Sequence, residues 1–283
     1  MTGNRIDDAF AAIRAEGRVG LFPYLTAGFP ELDATEKLAA AAIAAGGDGI
    51  ELGVPFSDPL ADGTTLQRAG EVALRNGASL PWTIEAAGRL RRLVSAPLII
   101  MTYYNPIHRY GLGRFAADAA RAGVDGLIVP DLPSVESGPL IARAEAEGLY
   151  VIQMVAPTTT PERLAEVGRT ARGFVYCVSL LGTTGVRAQV SDRLPDFMRA
   201  VRAAVPVPLL IGFGIARPEH IAAVRPYADA VVVASAIADL LGSAGRDRWI
   251  AAVREYVTEL RAACEPTPAP ASTELPAPSP SSC

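Results

Sequence analysis

Eight short apolar runs recur along the chain, each separated from the next by a stretch with helical periodicity. The runs lie at 19–25 (VGLFPYL), 49–54 (GIELGV), 97–103 (PLIIMTY), 125–130 (DGLIVP), 149–155 (LYVIQMV), 173–179 (GFVYCVS), 207–212 (VPLLIG) and 229–235 (DAVVVAS). They are rich in β-branched residues and show little polar alternation, which marks strands buried on both faces. Between them, Ala-, Leu- and Arg-rich segments such as 33–45, 111–122, 136–147, 193–204 and 217–225 carry a helical repeat. Strands alternating with helices imply a parallel sheet covered on both sides. About eight such units in a chain of 283 residues predict a (β/α)8 TIM barrel. A doubly wound open sheet is the alternative, weakened because no glycine fingerprint follows the first strand.

Both ends of the chain fall outside the repeat. Ile6, Phe10 and Ile13 sit at helical spacing among charges, which predicts an extra amphipathic N-terminal helix rather than a secretion signal. From Glu265 onward Pro stands at 266, 268, 270, 276, 278 and 280 with no apolar periodicity. A segment of that kind cannot bury enough surface to offset its ordering entropy, so the expectation is one barrel domain over 1–264 and a disordered tail over 265–283. The balance of 50% hydrophobic and 20% charged residues fits a large core, and a net charge of −4 gives no footprint for nucleic acid or anionic membranes. No apolar run approaches the roughly 20 residues that span a bilayer. Cys177, Cys264 and Cys283 are far apart, and His108 and His220 are the only histidines. A reduced cytoplasmic protein without a bound metal or cofactor is expected.

One strand carries an acid where apolar residues are the rule. In ELGVPFSDPLADG, residues 51–63, Glu51 lies inside an apolar run near the strand's C-terminal end, and Asp58 and Asp62 follow in the adjoining loop. C-terminal strand ends and the loops after them build the active sites of such barrels. A carboxyl in an apolar strand is desolvated, its pKa rises, and it becomes able to give and retake a proton near neutral pH. Asp62, beside Gly63, is expected to remain ionised and to stabilise positive charge. The other readings are a buried Glu51–Arg ion pair and a merely solvated loop residue at 62; Asp58 reads as a turn former. Pro55 and Pro59 stiffen the loop, and Thr64 with Gln67 fits a capping box opening the next helix.

The last three strands end in glycine- or serine-containing loops: SLLGTTGVR (179–187), IGFGIARPEH (211–220) and VVVASAIADLL (231–241), the last with a short helix expected from about Ser235. Barrels that bind phosphorylated substrates often hold the phosphate there, on backbone N–H groups at a helix N-terminus. No GxxxxGK[ST] sequence occurs, which argues against nucleoside-triphosphate chemistry.

Taken in order, FPYLTAGFP (22–30), ELGVPFSDPLADG (51–63), YYNPIHRYG (103–111), GVDGLIVPDLP (123–133), the SLLGTTG loop and GFGI resemble the α subunit of tryptophan synthase, over about residues 5 to 262. The resemblance implies a carbon–carbon lyase of tryptophan biosynthesis: retro-aldol cleavage of indole-3-glycerol phosphate to indole and glyceraldehyde 3-phosphate. It assigns Glu51 as the acid–base group, Asp62 as the partner of the indole N–H, and Tyr176 as a tyrosine beside them. Tyr24, Met101, Tyr103 and Ile128 match the indole pocket. Gly185, Gly214, Ala234 and Ser235 match the phosphate site, and Thr184 matches a mobile loop. Pro55 and Asp58 match the loop that touches a β subunit, implying an α2β2 complex.

The chain departs from the family's pattern in places. Phe29 stands where many members have Asp, Thr183 where Val is usual, Ala234 where Gly is usual, and the Pro-rich tail is extra. Other phosphosugar barrels would want acids at other strand ends or several histidines. Here strand one ends at Thr26 and strand five runs into Ala156-Pro157. A stand-alone lyase feeding indole to another pathway remains open, as does a non-catalytic regulator, which the acids at 51 and 62 speak against.

Overall fold

A computed structural model describes residues 3–178, 193–212 and 214–266. The strands are β1 (Gly20–Thr26), β2 (Ile50–Gly53), β3 (Leu98–Met101), β4 (Gly126–Ile128), β5 (Tyr150–Val155), β6 (Val175–Val178), β7 (Leu209–Gly212) and β8 (Ala230–Val233). Each pairs in parallel with its sequence neighbour, and β8 closes on β1 through Gly20–Ala230 and Phe22–Val232. The result is the expected (β/α)8 barrel. The helices are α1 (Arg5–Ala15), α2 (Thr35–Ala44), α3 (Thr64–Arg75), α4 (Leu80–Arg91), α5 (Tyr104–Tyr110) and α6 (Leu112–Arg121), then α7 (Gly138–Ala146), α8 (Pro161–Thr170), α9 (Leu194–Ala204), α10 (Pro218–Val224), α11 (Ser235–Ser243) and α12 (Trp249–Cys264). Of the tail expected to be disordered, residues 267–283 lie outside the described residues. None of the described helices is long and apolar enough to cross a membrane.

Strand periodicity splits the core in two. Leu21, Leu52, Leu98, Ile100, Val151 and Ile211 face the helices, whereas Phe22, Tyr24, Ile99, Ile128, Ile152, Tyr176 and Leu210 fill the barrel. The floor is closed by α1. Its Ile6, Phe10 and Ile13 belong to the interior cluster, and the Phe10 ring lies 5.6 Å from Phe22 and 5.5 Å from Phe174. Gly20 and Gly126 leave the room this needs, since a Cβ on either would strike Ile13 or Ile6. Asn4 caps the helix through Ile6 N–H.

Three aspartates tie the same end together. Asp48, Asp125 and Asp229 stand just before β2, β4 and β8, and each accepts a backbone N–H from the preceding strand: Leu21 at 2.8 Å, Leu98 at 2.8 Å and Leu209 at 2.7 Å. Each is also paired with arginine: Arg18, Arg91 with Arg5, and Arg202. The strand starts are therefore locked by charge-assisted bonds, leaving the opposite face free for chemistry.

Candidate active site

Glu51 lies in the middle of β2, in register with Tyr24 on β1 and Ile99 on β3. Its parity points it into the barrel, where it is fully buried. Neither carboxyl oxygen has a hydrogen-bond partner among the described residues, so the ion-pair reading fails there. Burial alone raises its pKa from the ordinary 4.5 to about 8. At neutral pH the group is mostly protonated, hence a proton donor.

Asp62 is half-buried in the loop before α3. Desolvation raises its pKa, and the nearby Tyr103 hydroxyl opposes the rise. Its expected ionised state therefore depends on that hydroxyl. Tyr103 does double service, because the same oxygen accepts Ala61 N–H at 3.0 Å. Its ring packs on Phe56, centroids 5.4 Å apart. The sequence expectation ran the third strand to 103, but β3 ends at Met101 and Tyr103 is the N-cap of α5. Asp131, from the loop after β4, accepts Tyr104 N–H at 2.8 Å and so anchors that helix start.

Tyr24 and Tyr176 line the mouth from β1 and β6. Both are buried with their phenol pKa values pushed up, chiefly by desolvation and further by the nearby Glu51 and Asp62 carboxylates. Each hydroxyl lies directly over a strand glycine: a Cβ on Gly53 would collide with Tyr24, and one on Gly212 with Tyr176. Gly53 was missed in the sequence, where the only signal was a glycine ending an otherwise apolar strand, and Gly212 was read only as part of the glycine-containing loop after the seventh strand. Met101 and Ile128 are in register with one another and next to Gly53, completing an apolar wall beside the acids.

On the far side, Gly214 takes φ +82°, a left-handed conformation that suits glycine alone. The loop beyond it is held from both sides, since His220 Nδ1 accepts Ala216 N–H at 3.1 Å and Tyr256 donates to Ala216 O at 2.8 Å. Ser235 opens α11, with Ala234 as its N-cap at φ −120°, where a methyl group brings no left-handed strain. No side chain caps this helix start. Gly185 and Thr184 lie outside the described residues, as does Thr183.

Two expectations need correcting. The Thr64–Gln67 capping box does not form, because Gly63 is the N-cap and Thr64 is already helical. Gln67 instead donates its side-chain amide to Asp62 O at 2.9 Å and its backbone N–H to Gly63 O. Pro55 is buried under the loop, so of the two residues assigned to partner contact only Asp58 is exposed.

Fold and site together define a (β/α)8 barrel enzyme with a buried, proton-bearing carboxyl and a second, differently solvated one at the C-terminal face. The comparisons give that class a family. A family model described as tryptophan synthase alpha chain matches residues 10–265. A tryptophan synthase alpha chain from Roseiflexus sp. (strain RS-1) is 48% identical over 259 residues, covering 91% of this chain and 99% of the relative. One from Chloroflexus aggregans is 46% identical over 263 residues, 93% of this chain and 98% of the relative. Among solved structures, a tryptophan synthase alpha subunit from Legionella pneumophila str. Paris has a TM-score of 0.84 at 34% identity, covering 92% of this chain and 98% of that one. An M. tuberculosis tryptophan synthase, in an open form with BRD0059 bound, gives 0.84 at 36% identity and covers 93% and 99%. The chain belongs to the tryptophan synthase alpha chain family, and it is a lyase of that type.

Proposed function

We propose that the chain cleaves indole-3-glycerol phosphate, with Glu51 moving the protons and Asp62 balancing charge on the ring. Protonated Glu51 donates to indole C3, which makes the ring cationic at nitrogen. The Asp62 carboxylate accepts the ring N–H and stabilises that cation. Glu51, now ionised, takes the proton from the hydroxyl of the adjoining side-chain carbon. The C–C electrons return to the ring, indole leaves, and the side chain departs as glyceraldehyde 3-phosphate. One carboxyl thus serves as acid and then as base, which a pKa of about 8 suits. Tyr24, Tyr176, Met101, Tyr103 and Ile128 shape the slot for the flat ring. Gly214 with the N-terminus of α11 at Ser235 offers N–H donors to the phosphate. The observation that carries the reading is the fully buried, unpartnered Glu51 at the active end of the barrel. Steady-state cleavage of indole-3-glycerol phosphate by the purified chain, with indole as the readout, tests it.

The partner is proposed to be a tryptophan synthase β subunit, seated on the loop that follows β2. Leu60 is 88% exposed there, between Pro59 and Ala61, beside the exposed Asp58. A solvated leucine two residues from a catalytic acid supports a covered face over the stand-alone alternative. Size exclusion of an equimolar mixture tests this, a mixed complex being expected.

A further inference from the structure

The barrel wall carries a polar cavity that the lyase reading does not use. It measures about 230 Å³ and lies beside β5, under the loop at 129–134 and against α8. Its floor holds Gln153. The neighbours of Gln153 at alternate positions, Val151 and Val155, belong to the helix-facing core, so its side chain points away from the catalytic acids. Gln153 is only 4% exposed, and its amide makes no hydrogen bond among the described residues. The amide opens onto the cavity rather than being sealed in the core, and a polar, roomy cavity implies something that bonds to it. Two charged side chains complete the lining: Arg163 on α8, whose guanidinium has no acidic partner among the described residues, and the exposed Asp131. One oxygen of Asp131 is taken by Tyr104 N–H, leaving the other free.

We infer that this cavity is a binding site for a small α-amino acid. Guanidinium pairs with carboxylate in a planar, two-bond geometry, the free Asp131 oxygen accepts an ammonium, and the Gln153 amide can donate and accept. A simple anion would leave Asp131 opposed to it, and a simple amine would leave Arg163 opposed. A zwitterion alone satisfies all three groups, and the volume admits one with a small side chain. No hydrogen bond joins these residues to the acids at 51 and 62, and the one link to the lyase site is Asp131, which anchors the α5 start that carries Tyr103.

The test uses the full chain with L-alanine as the probe, and propionate and ethylamine as half-ligands, following the Gln153 side-chain amide by NMR. L-Alanine is expected to shift that signal saturably. Propionate should bind about tenfold more weakly or worse, and ethylamine should leave the signal unmoved. Arg163→Gln, an exposed change that spares the core, should weaken L-alanine by about tenfold or more. Gln153→Leu should abolish binding while cooperative unfolding and indole release persist. A Gln153 signal that never moves would leave ordered water as the occupant and overturn the inference. Equal binding of propionate and L-alanine, or undiminished binding by Arg163→Gln, would overturn it as well.

Discussion

The Tyr103 hydroxyl accepts Ala61 N–H at 3.0 Å and lies near enough to the Asp62 carboxyl to hold its pKa down. One oxygen at the start of α5 therefore sets both the backbone and the charge state of the loop after β2. Tyr103→Phe keeps the ring against Phe56 but removes the Ala61 bond and the hydroxyl beside Asp62. The Asp62 carboxyl then loses the interaction that holds its pKa down, and the loop loses an anchor. Turnover is expected to fall by about tenfold, with the acidic limb of the pH–rate profile moved upward. An unmoved acidic limb would show that Tyr103 does not tune Asp62.

Gly53 and Gly212 are predicted to be as sensitive as the acids' immediate neighbours, although neither has a side chain. Gly53→Ala must displace the Tyr24 hydroxyl, and Gly212→Ala that of Tyr176, since a methyl group overlaps each. Displacing a pocket wall by about 1 Å can cost on the order of 100-fold in rate. Each variant should fold with an unchanged circular dichroism spectrum and lose at least tenfold, by this reasoning about positioning, in kcat/KM. Wild-type kinetics in either would mean that the tyrosines do not position substrate.

The ion-pair cluster under the barrel should act on stability alone. Asp125 bonds Leu98 N–H, Arg5 and Arg91 while only 4% exposed, so Asp125→Ala strands one buried backbone donor and takes the carboxylate partner from both arginines. A loss of about 3 kcal/mol is expected by urea unfolding, with kcat unchanged below the transition. A loss confined to kcat would contradict the division between a stabilising floor and a reactive mouth.

Burial of Glu51 has a thermodynamic cost that depends on pH. Below about 4.5, its ordinary value, folded and unfolded chains both carry the proton. Between there and about 8 only the unfolded chain ionises, so stability falls as pH rises and levels off above that range. Glu51→Gln has nothing to titrate and escapes the penalty. It should match the parent near pH 4.5 and exceed it at pH 8 by up to about 4 kcal/mol in urea unfolding, at roughly 1.4 kcal/mol per pH unit. A constant difference across that window would mean that Glu51 titrates normally.

What the sequence made legible was the part encoded locally. Eight apolar runs dictate the barrel, Ile6, Phe10 and Ile13 dictate the plugging helix, and an acid in a strand flags itself. Residues whose meaning comes from across the barrel stayed silent. Gly53 looks like any strand-ending glycine until the Tyr24 ring is laid over it. Asp131 reads as a loop acid until it caps α5. That helix was hidden because Pro106 suggests a break, yet proline is tolerated in a first turn whose N–H groups have no intrahelical acceptor. The capping box failed by one residue of register, since Thr64 has the right chemistry but Gly63 occupies the cap.

Single-turnover cleavage of indole-3-glycerol phosphate by Glu51→Gln, with substrate binding measured on the same preparation, tests the assignment of the proton transfers most directly. Glutamine keeps the shape and hydrogen-bonding capacity of the side chain but neither gives nor takes a proton. The account predicts that binding persists while the rate falls by at least about 100-fold, the lower range for general acid–base catalysis. A rate within a few-fold of the parent enzyme would contradict it, and the proton transfers would have to be assigned to another group.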